Sequence, residues 1–318
     1  MMAHGILEVL SRGALIIAGF ACAGTLMGML ARLGWPCELA CHFRLQYAWA
    51  LGASAVILFA AQQWPAAILT VGFTLINLRA IAPFYTKRMP RTGGRTIRAL
   101  FANVWWLNRS SEAVRRLIRE VHPDIIVLTE VNERWLSDLR DLEAEYPFFK
   151  AVLHPDGFGI LLCGQAPTPQ HEVARIRKVG LLAILAHLQV HEQRMTVIGA
   201  HSMSPATPTR MRVRNRQLDR LATLVVQQQG PLIVLGDLNA TSWSPAFQNL
   251  LRKTQLRDSR IGFGLQPTWP VPLPFLRVPL DHCLVSPEVV VHTRHVGPNI
   301  GSDHLPVIVE FSITLTQA

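Results

Sequence analysis

The sequence predicts an α/β domain of about 220 residues carried behind an apolar, membrane-spanning N-terminus. Residues 13–31 and 45–78 are runs of 19 and 34 residues without a charged side chain. From Ile97 onward the texture changes, and short apolar β-forming runs alternate with amphipathic segments of helical period, the pattern of a sheet covered by helices. The charge balance divides at the same place. Residues 1–99 carry nine Lys/Arg and two Asp/Glu, net +7, whereas residues 100–318 carry 22 and 19, net +3. The basic excess therefore lies beside the apolar runs, which speaks of a membrane surface before it speaks of nucleic acid.

About 20 residues at a rise of about 1.5 Å span a bilayer core. Gly13–Ala31 meets that length between Arg12 and Arg32, and Leu45–Leu78 suffices for two helices broken at Gln62-Gln63-Trp64-Pro65. Three transmembrane helices are expected, at about 13–31, 46–62 and 65–82, within a membrane domain of residues 1–85. Trp35, Tyr47, Trp49, Trp64, Phe84 and Tyr85 fall near their ends, where aromatic rings favour the interface. A cleaved signal peptide is the alternative for the first run, but its apolar core is long for that and further spans follow. Gly24 and Gly28, one turn apart, would let a neighbouring helix approach closely. With three spans, Arg32, Arg44, Arg79, Lys87, Arg88, Arg91, Arg95 and Arg98 share one side, which the positive-inside rule makes cytoplasmic. Residues 86–96 read as a basic linker and 97–318 as the second domain. Cys22, Cys37, Cys41, Cys163 and Cys283 are odd in number and irregular in spacing, unlike a disulfide framework. Cys37, Cys41 and His42 lack the second ligand pair of a structural zinc site.

In the second domain, IRALFANVWWLN reads as a strand, SSEAVRRLIREVHP as a helix with Val114, Leu117, Ile118 and Val121 on one face, and DIIVLTEV as a buried strand. Residues 158–163, 181–190 and 195–200 read as strands, 211–229 as a helix, and 280–286 and 305–313 as closing strands. PLIVLGDLNATSWS is the most informative stretch: an apolar strand ends in Gly236 and delivers Asp237 and Asn239 to its C-terminal edge. Residues two apart on an extended chain point the same way. Asn103, Glu130, His201, Asp281, Asp303 and His304 also fall at strand ends. One such residue is ordinarily a satisfied structural group, but the set makes a chemistry. Glu130, helped by Asn103 and Asp303, offers oxygen ligands for Mg²⁺. A His steered by a carboxylate serves as base or phosphate-binding cation, and Asp237 can align or deprotonate a water.

The segments FANVWW, PDIIVLTEVNERW, DGFGILLCGQAP, HSMSP, RNRQL, GDLNAT, PTWP, PLDHCLVS and GSDHLPVIV, in this order over residues 97–313, resemble the endonuclease/exonuclease/phosphatase superfamily. GDLN with a terminal SDH is the most specific part, and the context is similar to bacterial members with N-terminal membrane helices. The resemblance implies a four-layer α-β-β-α sandwich of two mixed sheets, following the three membrane helices. It implies a metal site of Glu130, Asn103 and Asp303 taking Mg²⁺, or Mn²⁺. It implies that His201 and Asn239 contact the scissile phosphate, that Asp237 positions the attacking water, and that Asp281 orients an essential His304. No Tyr matches the phosphate-contacting Tyr of abasic-site endonucleases, and no Arg segment follows GDLN as in 5-phosphatases.

The expected function is a membrane-anchored phosphoesterase, phosphodiesterase or nuclease-like, hydrolysing a phosphate ester by metal-activated water. The alternatives are a catalytically silent phospholigand-recognition module and, among enzymes, a lipid or inositol phosphatase. The partners implied are a lipid bilayer and a nucleic acid or phospholipid/inositol phosphate, with no obligate protein partner evident. The expected place is a bacterial inner membrane, multi-pass, with the catalytic domain cytoplasmic. Arg210, Arg212, Arg214, Arg216 and Arg220 are either a phosphate-contacting edge or a solvated helix face. Trp105 and Trp106 read as core in strand context, and Trp243 as the tryptophan available for function.

Overall fold

The computed structural model describes residues 2–86, 95–154, 157–165, 171–172, 175–176, 181–190 and 193–314. The expected linker falls mostly on residues 87–94, outside the described residues. The chain forms two units, one of residues up to Thr86 with Trp243–Pro245 and one of the remainder.

The first unit contains helices α1 (Met2–Met29), α2 (Trp35–Cys41), α3 (Arg44–Ala60), α4 (Trp64–Ile81) and α5 (Pro83–Thr86). Pro65 sits in the first turn of α4, where its missing N–H removes no helical bond. Gly24 and Gly28 do allow close approach. A Cβ on Gly24 would lie 2.5 Å from the Tyr47 ring, and one on Gly28 would lie 3.0 Å from the Cys41 backbone. A buried polar chain joins three helices: Arg44 Nη1 donates to Asn77 Oδ1 (3.3 Å), and Asn77 Nδ2 donates to Thr25 Oγ1 (2.9 Å). Polar groups inside an apolar bundle are satisfied across helices in this way. Trp243 groups with this unit, its indole N–H donating to the Ala80 carbonyl.

Of the three membrane helices expected, two are matched outright among the described residues, and a third follows if a bent helix pair counts as one span. Two helices, Gly5–Met29 and Trp64–Ile81, are each long and apolar enough to cross a bilayer. A third span exists only if α2 and α3, bent by 69° at their junction, are taken together. The expected middle span, 46–62, falls mostly on α3, which alone has 17 residues, at the lower limit for a bilayer core.

Among the described residues the second unit carries thirteen strands: β1 (Ile97–Asn103), β2 (Ile125–Val131), β3 (Phe148–Val152), β4 (Gly159–Gly164), β5 (His171–Glu172), β6 (Arg175–Ile176), β7 (Leu181–Val190), β8 (Gln193–His201), β9 (Leu232–Asp237), β10 (Arg257–Asp258), β11 (Asp281–Val285), β12 (Val289–Val296) and β13 (Val307–Ile313). Its helices are α6 (Ser111–Val121), α7 (Glu133–Asp138), α8 (Leu142–Glu145), α9 (Pro208–Val226) and α10 (Pro245–Thr254). One sheet runs β12-β13-β1-β2-β4-β3, the other β10-β11-β9-β8-β7-β5, with β6 also on β7. Each sheet has one parallel pair, β1–β2 and β8–β9, and is otherwise antiparallel. The parallel pairs are where the chain crosses over through a helix, α6 in one sheet and α9 in the other, as parallel pairing requires.

Alternation along the strands sorts the side chains into three cores. Phe101, Val127, Ile184, Val197, Ile233 and Val309 pack between the sheets. Leu100, Leu128 and Leu161 pack outward on Leu117, Ile118 and Trp135, and Ile198, Val234 and Leu284 pack outward on Leu218, Leu221 and Phe247. Helix, sheet, sheet and helix are thus four layers, the sandwich expected. Strand β1 stops at Asn103 and does not continue through Trp105 and Trp106, because Trp105 turns into the left-handed region at φ +56°. Trp106 is consequently exposed, a correction to its reading as core.

Candidate active site

Every strand-end residue singled out in the sequence lies on one edge of the sandwich. Asn103 ends β1, His201 ends β8, and Asp237 ends β9 opposite His201 on one side and Asp281 of β11 on the other. These are the carboxyl ends of the parallel pairs, the edge at which α/β sheets place ligands. Glu130 reaches the same edge from a bulge in β2 between Thr129 and Val131, with φ at +62°. That conformation is unusual for a residue with a side chain and re-aims one carboxylate out of the strand's alternation.

Asp237 is the focus. Its Oδ2 accepts from Asn103 Nδ2 at 3.2 Å and lies 3.7 Å from both His201 Nε2 and His304 Nε2. Its Oδ1 accepts the Asn239 backbone N–H at 2.9 Å. Asn239, itself left-handed at φ +46°, donates from Nδ2 to the Ser202 carbonyl. Asn103 Nδ2 also donates to Glu130 Oε1 at 2.9 Å, and the Trp106 N–H donates to Glu130 Oε2 at 3.3 Å. His304 is gripped from behind, Nδ1 lying 2.9 and 3.1 Å from the two Asp281 oxygens. Asp303 Oδ2 accepts the Trp269 indole N–H at 3.0 Å, while its buried Oδ1 has no hydrogen-bond partner.

Burial sets unequal charge states. It pushes Asp237 up to about 7, with Asp281 and Glu130 acting the same way against the opposing pull of His304 and the Asn239 N–H. It pushes His201 down to about 3, helped by the neighbouring His304. For His304 burial also opposes the cation, but Asp281, Asp237 and Asp303 outweigh it and hold the imidazolium to about 10. Glu130 is raised by burial and by Asp303, against the bonds from Asn103 and Trp106. Near neutral pH the edge thus holds a neutral His201, a cationic His304, and an Asp237 poised to give or take a proton, the spread of values expected of acid–base machinery.

Four groups at the site take roles that the sequence did not indicate. Arg214 is fully buried and donates from Nη1 to the Asn239 carbonyl (2.7 Å), apart from the exposed Arg210, Arg212, Arg216 and Arg220. Ser302 Oγ donates to the Asn103 carbonyl and accepts the His304 N–H. Arg294, buried, donates to the Asp281 carbonyl, and Trp269 holds Asp303. A signal for Arg214 was present, since Leu218, Leu221 and Val225 follow it on the same helical face. Trp269 lies within the PTWP segment, but its partner Asp303, like the Asp281 partner of Arg294, comes from a segment distant in sequence.

Residues 100–304 match the model of the endonuclease/exonuclease/phosphatase family. The chain belongs to this family. Members are hydrolases of phosphate esters, and the chain has the phosphoesterase and nuclease fold together with acidic residues able to bind metal. Among the described residues Asp237, Asp281 and His304 form a group whose ligand atoms all lie within 4.8 Å of one another. A UPF0294 protein of Vibrio parahaemolyticus is 23% identical over 292 residues, 86% of this chain and 98% of that protein. Humanized TDP2 of D. rerio aligns with a TM-score of 0.58 at 14% identity, over 68% of this chain and 99% of that one. The family protein of Bacteroides vulgatus aligns at 0.57 and 16%, over 69% and 99%. The human Nocturnin catalytic domain, solved with bound sulfate, aligns at 0.55 and 19%, over 69% and 95%. At these identities the structural likeness establishes the fold.

Proposed function

We propose that the chain is a membrane-anchored, divalent-metal-dependent phosphoesterase that attacks a phosphodiester with water. The domains would be a membrane domain of residues 1–85, a linker of 86–96 and a catalytic domain of 97–318. With α2 and α3 together counted as a third span, the basic residues at the helix ends favour a cytoplasmic catalytic domain in a bacterial inner membrane. The observation that carries the reading is the convergence of Asn103, His201 and His304 on one Asp237 oxygen.

Glu130, Asn103 and Asp303 would hold the cation, Mg²⁺ or Mn²⁺. Glu130 and Asp303 offer carboxylate oxygens, as these ions prefer, and the unpartnered Asp303 Oδ1 together with the raised Glu130 marks a place short of positive charge. Asn103 turns its Nδ2 to Glu130 and Asp237 while its Oδ1 accepts the Trp105 N–H, so it would offer oxygen only with its amide reversed. Such an ion, when bound, neutralises charge on phosphoryl oxygens. Asp237, its carboxyl held near 7, accepts the proton of the attacking water. Asp281, Asp237 and Asp303 together favour the His304 cation against its burial, which suits a charge stabiliser and not a base. Its Nε2 shares Asp237's side of the site, whereas an in-line displacement puts the leaving oxygen opposite. His304 thus stabilises the non-bridging oxygens. Neutral His201 and the Asn239 amide orient the phosphate, with Asn239 fixed from behind by Arg214.

The test is hydrolysis of a soluble aryl phosphodiester by the full chain in detergent. Activity is expected to vanish with EDTA and return with Mg²⁺ or Mn²⁺, and Glu130→Gln to lower it roughly 10²–10³-fold, as several kcal/mol of charge stabilisation implies. Metal-independent turnover would refute the reading. Arg214→Met leaves the Asn239 carbonyl short of a donor, at a stability cost of about 1–3 kcal/mol. Misplacement of Asn239 is expected to lower kcat by up to about 10²-fold, read by kinetics beside thermal unfolding.

A further inference from the structure

Two apolar prominences flank the Glu130–Asp303 end of the site. One is Trp106 and Leu107, exposed by 45% and 52%, just beyond the backbone N–H that binds Glu130. The other is the loop between Trp269 and Val278, which pair with each other across its base. That base is bound to the site: Trp269 donates to the Asp303 carboxylate, and the Val271 N–H donates to the Asp303 carbonyl. The loop projects Leu273, Phe275 and Leu276, and Phe275 is 90% exposed. A phenylalanine ring left almost wholly in water beside a polar site marks a surface that is covered in use.

The charges around these prominences indicate what covers them. Arg277 turns inward, donating to the Pro270 and Val271 carbonyls. Arg134 likewise donates to the Asn108 carbonyl and to Asp138. Arg109 remains exposed beside Leu107. A nucleic-acid groove needs a row of outward cations along the backbone. Exposed aromatic and aliphatic side chains with one cation match a lipid interface instead. The bilayer is also close along the chain. Only residues 87–94 separate Thr86, at the end of the apolar helices, from Arg95, a tether of about 30 Å at full extension.

We propose that Trp106, Leu107, Leu273, Phe275 and Leu276 form a surface that enters a phospholipid bilayer and presents the headgroup phosphodiester of a membrane lipid to the site. The substrate part of this inference rests on the phosphoesterase reading above, and the docking part stands apart from it.

The experiment uses the full chain in nanodiscs of phosphatidylethanolamine and phosphatidylglycerol. A photoreactive benzoylphenylalanine in place of Phe275 is expected to give a lipid adduct on irradiation, detected as a mass increase. Absence of the adduct overturns the docking surface whether or not the enzyme turns over. In mixed micelles of the same lipids, Phe275→Ser is expected to lower kcat/KM for lipid hydrolysis at least tenfold, mainly through KM. Turnover of bis(p-nitrophenyl) phosphate should stay within twofold, and Phe275→Trp should restore lipid hydrolysis. If the aryl diester is hydrolysed but lipid is not, or if Phe275→Ser leaves lipid hydrolysis unchanged, the lipid assignment fails. Faster cleavage of a single-stranded oligodeoxynucleotide than of lipid overturns it as well. If no diester of any kind is hydrolysed, the phosphoesterase reading fails and the adduct alone decides the docking surface.

Discussion

Asp237→Asn is expected to remove hydrolysis, by roughly 10²–10⁴-fold for loss of a general base, while becoming more stable relative to the parent as pH rises. The two effects share one cause. Asp237 is buried beside Asp281 and Glu130, and burial above all holds its carboxyl at about 7 in the folded protein. An unfolded Asp ionises near its ordinary value of about 3.9. A carboxyl raised on folding contributes stability that is full below the unfolded value and is lost as pH rises through the folded one. At pH 8 the metal-free parent therefore carries a buried anion that Asn lacks. Thermal unfolding in EDTA at pH 5.5 and pH 8 measures this, and the variant's melting temperature should gain on the parent's between those two conditions. An unchanged gap would show that Asp237 is not held in the state argued here. A widening gap means that function occupies a position the fold alone would fill otherwise, a common trade at active sites.

Much of that site was legible because of strand arithmetic. Apolar runs bounded by Pro and Gly gave the strands, and period two put Asp237 and Asn239 toward one place. The edge on which Asn103, His201 and Asp281 meet then follows from two crossovers through α6 and α9. The illegible parts have physical reasons. VWWL after Asn103 has strong β preference, yet the chain turns at Trp105, so the exposed Trp106 looked like core. Glu130 depends on a bulge whose only mark is a positive φ, and no residue type announces that. Helical spacing puts Arg212, Arg216 and Arg220 on a different face from Arg214, but charge alone does not say which face is buried. Burial of Arg214 and Arg294 is a tertiary fact, since each has acceptors supplied by another segment. The middle span likewise rests on tertiary structure, since α3 gains length only by joining α2 across a 69° bend, leaving the count of spans at two or up to three.

Asp281→Asn is expected to lower kcat at pH 8 by roughly 10³–10⁴-fold, the range seen when an imidazole loses the carboxylate that orients it. Asp281 is wholly buried, both its oxygens face His304 Nδ1, and the Arg294 guanidinium secures its backbone carbonyl. The amide keeps the shape and removes the charge. Burial already works against the His304 cation, and Asp281 is the largest influence that reverses it. Without that carboxylate the imidazole should lose its proton at a much lower pH, so the alkaline limb of the rate profile should move toward acid. Part of the lost rate should return as the pH is lowered and His304 is protonated again. A base would behave oppositely, since deprotonation would then restore activity and the variant would recover as pH rises. The profile of kcat against pH for the two proteins therefore decides whether His304 works as a fixed cation or as a proton acceptor. The charge on Asp281 is what makes the difference measurable.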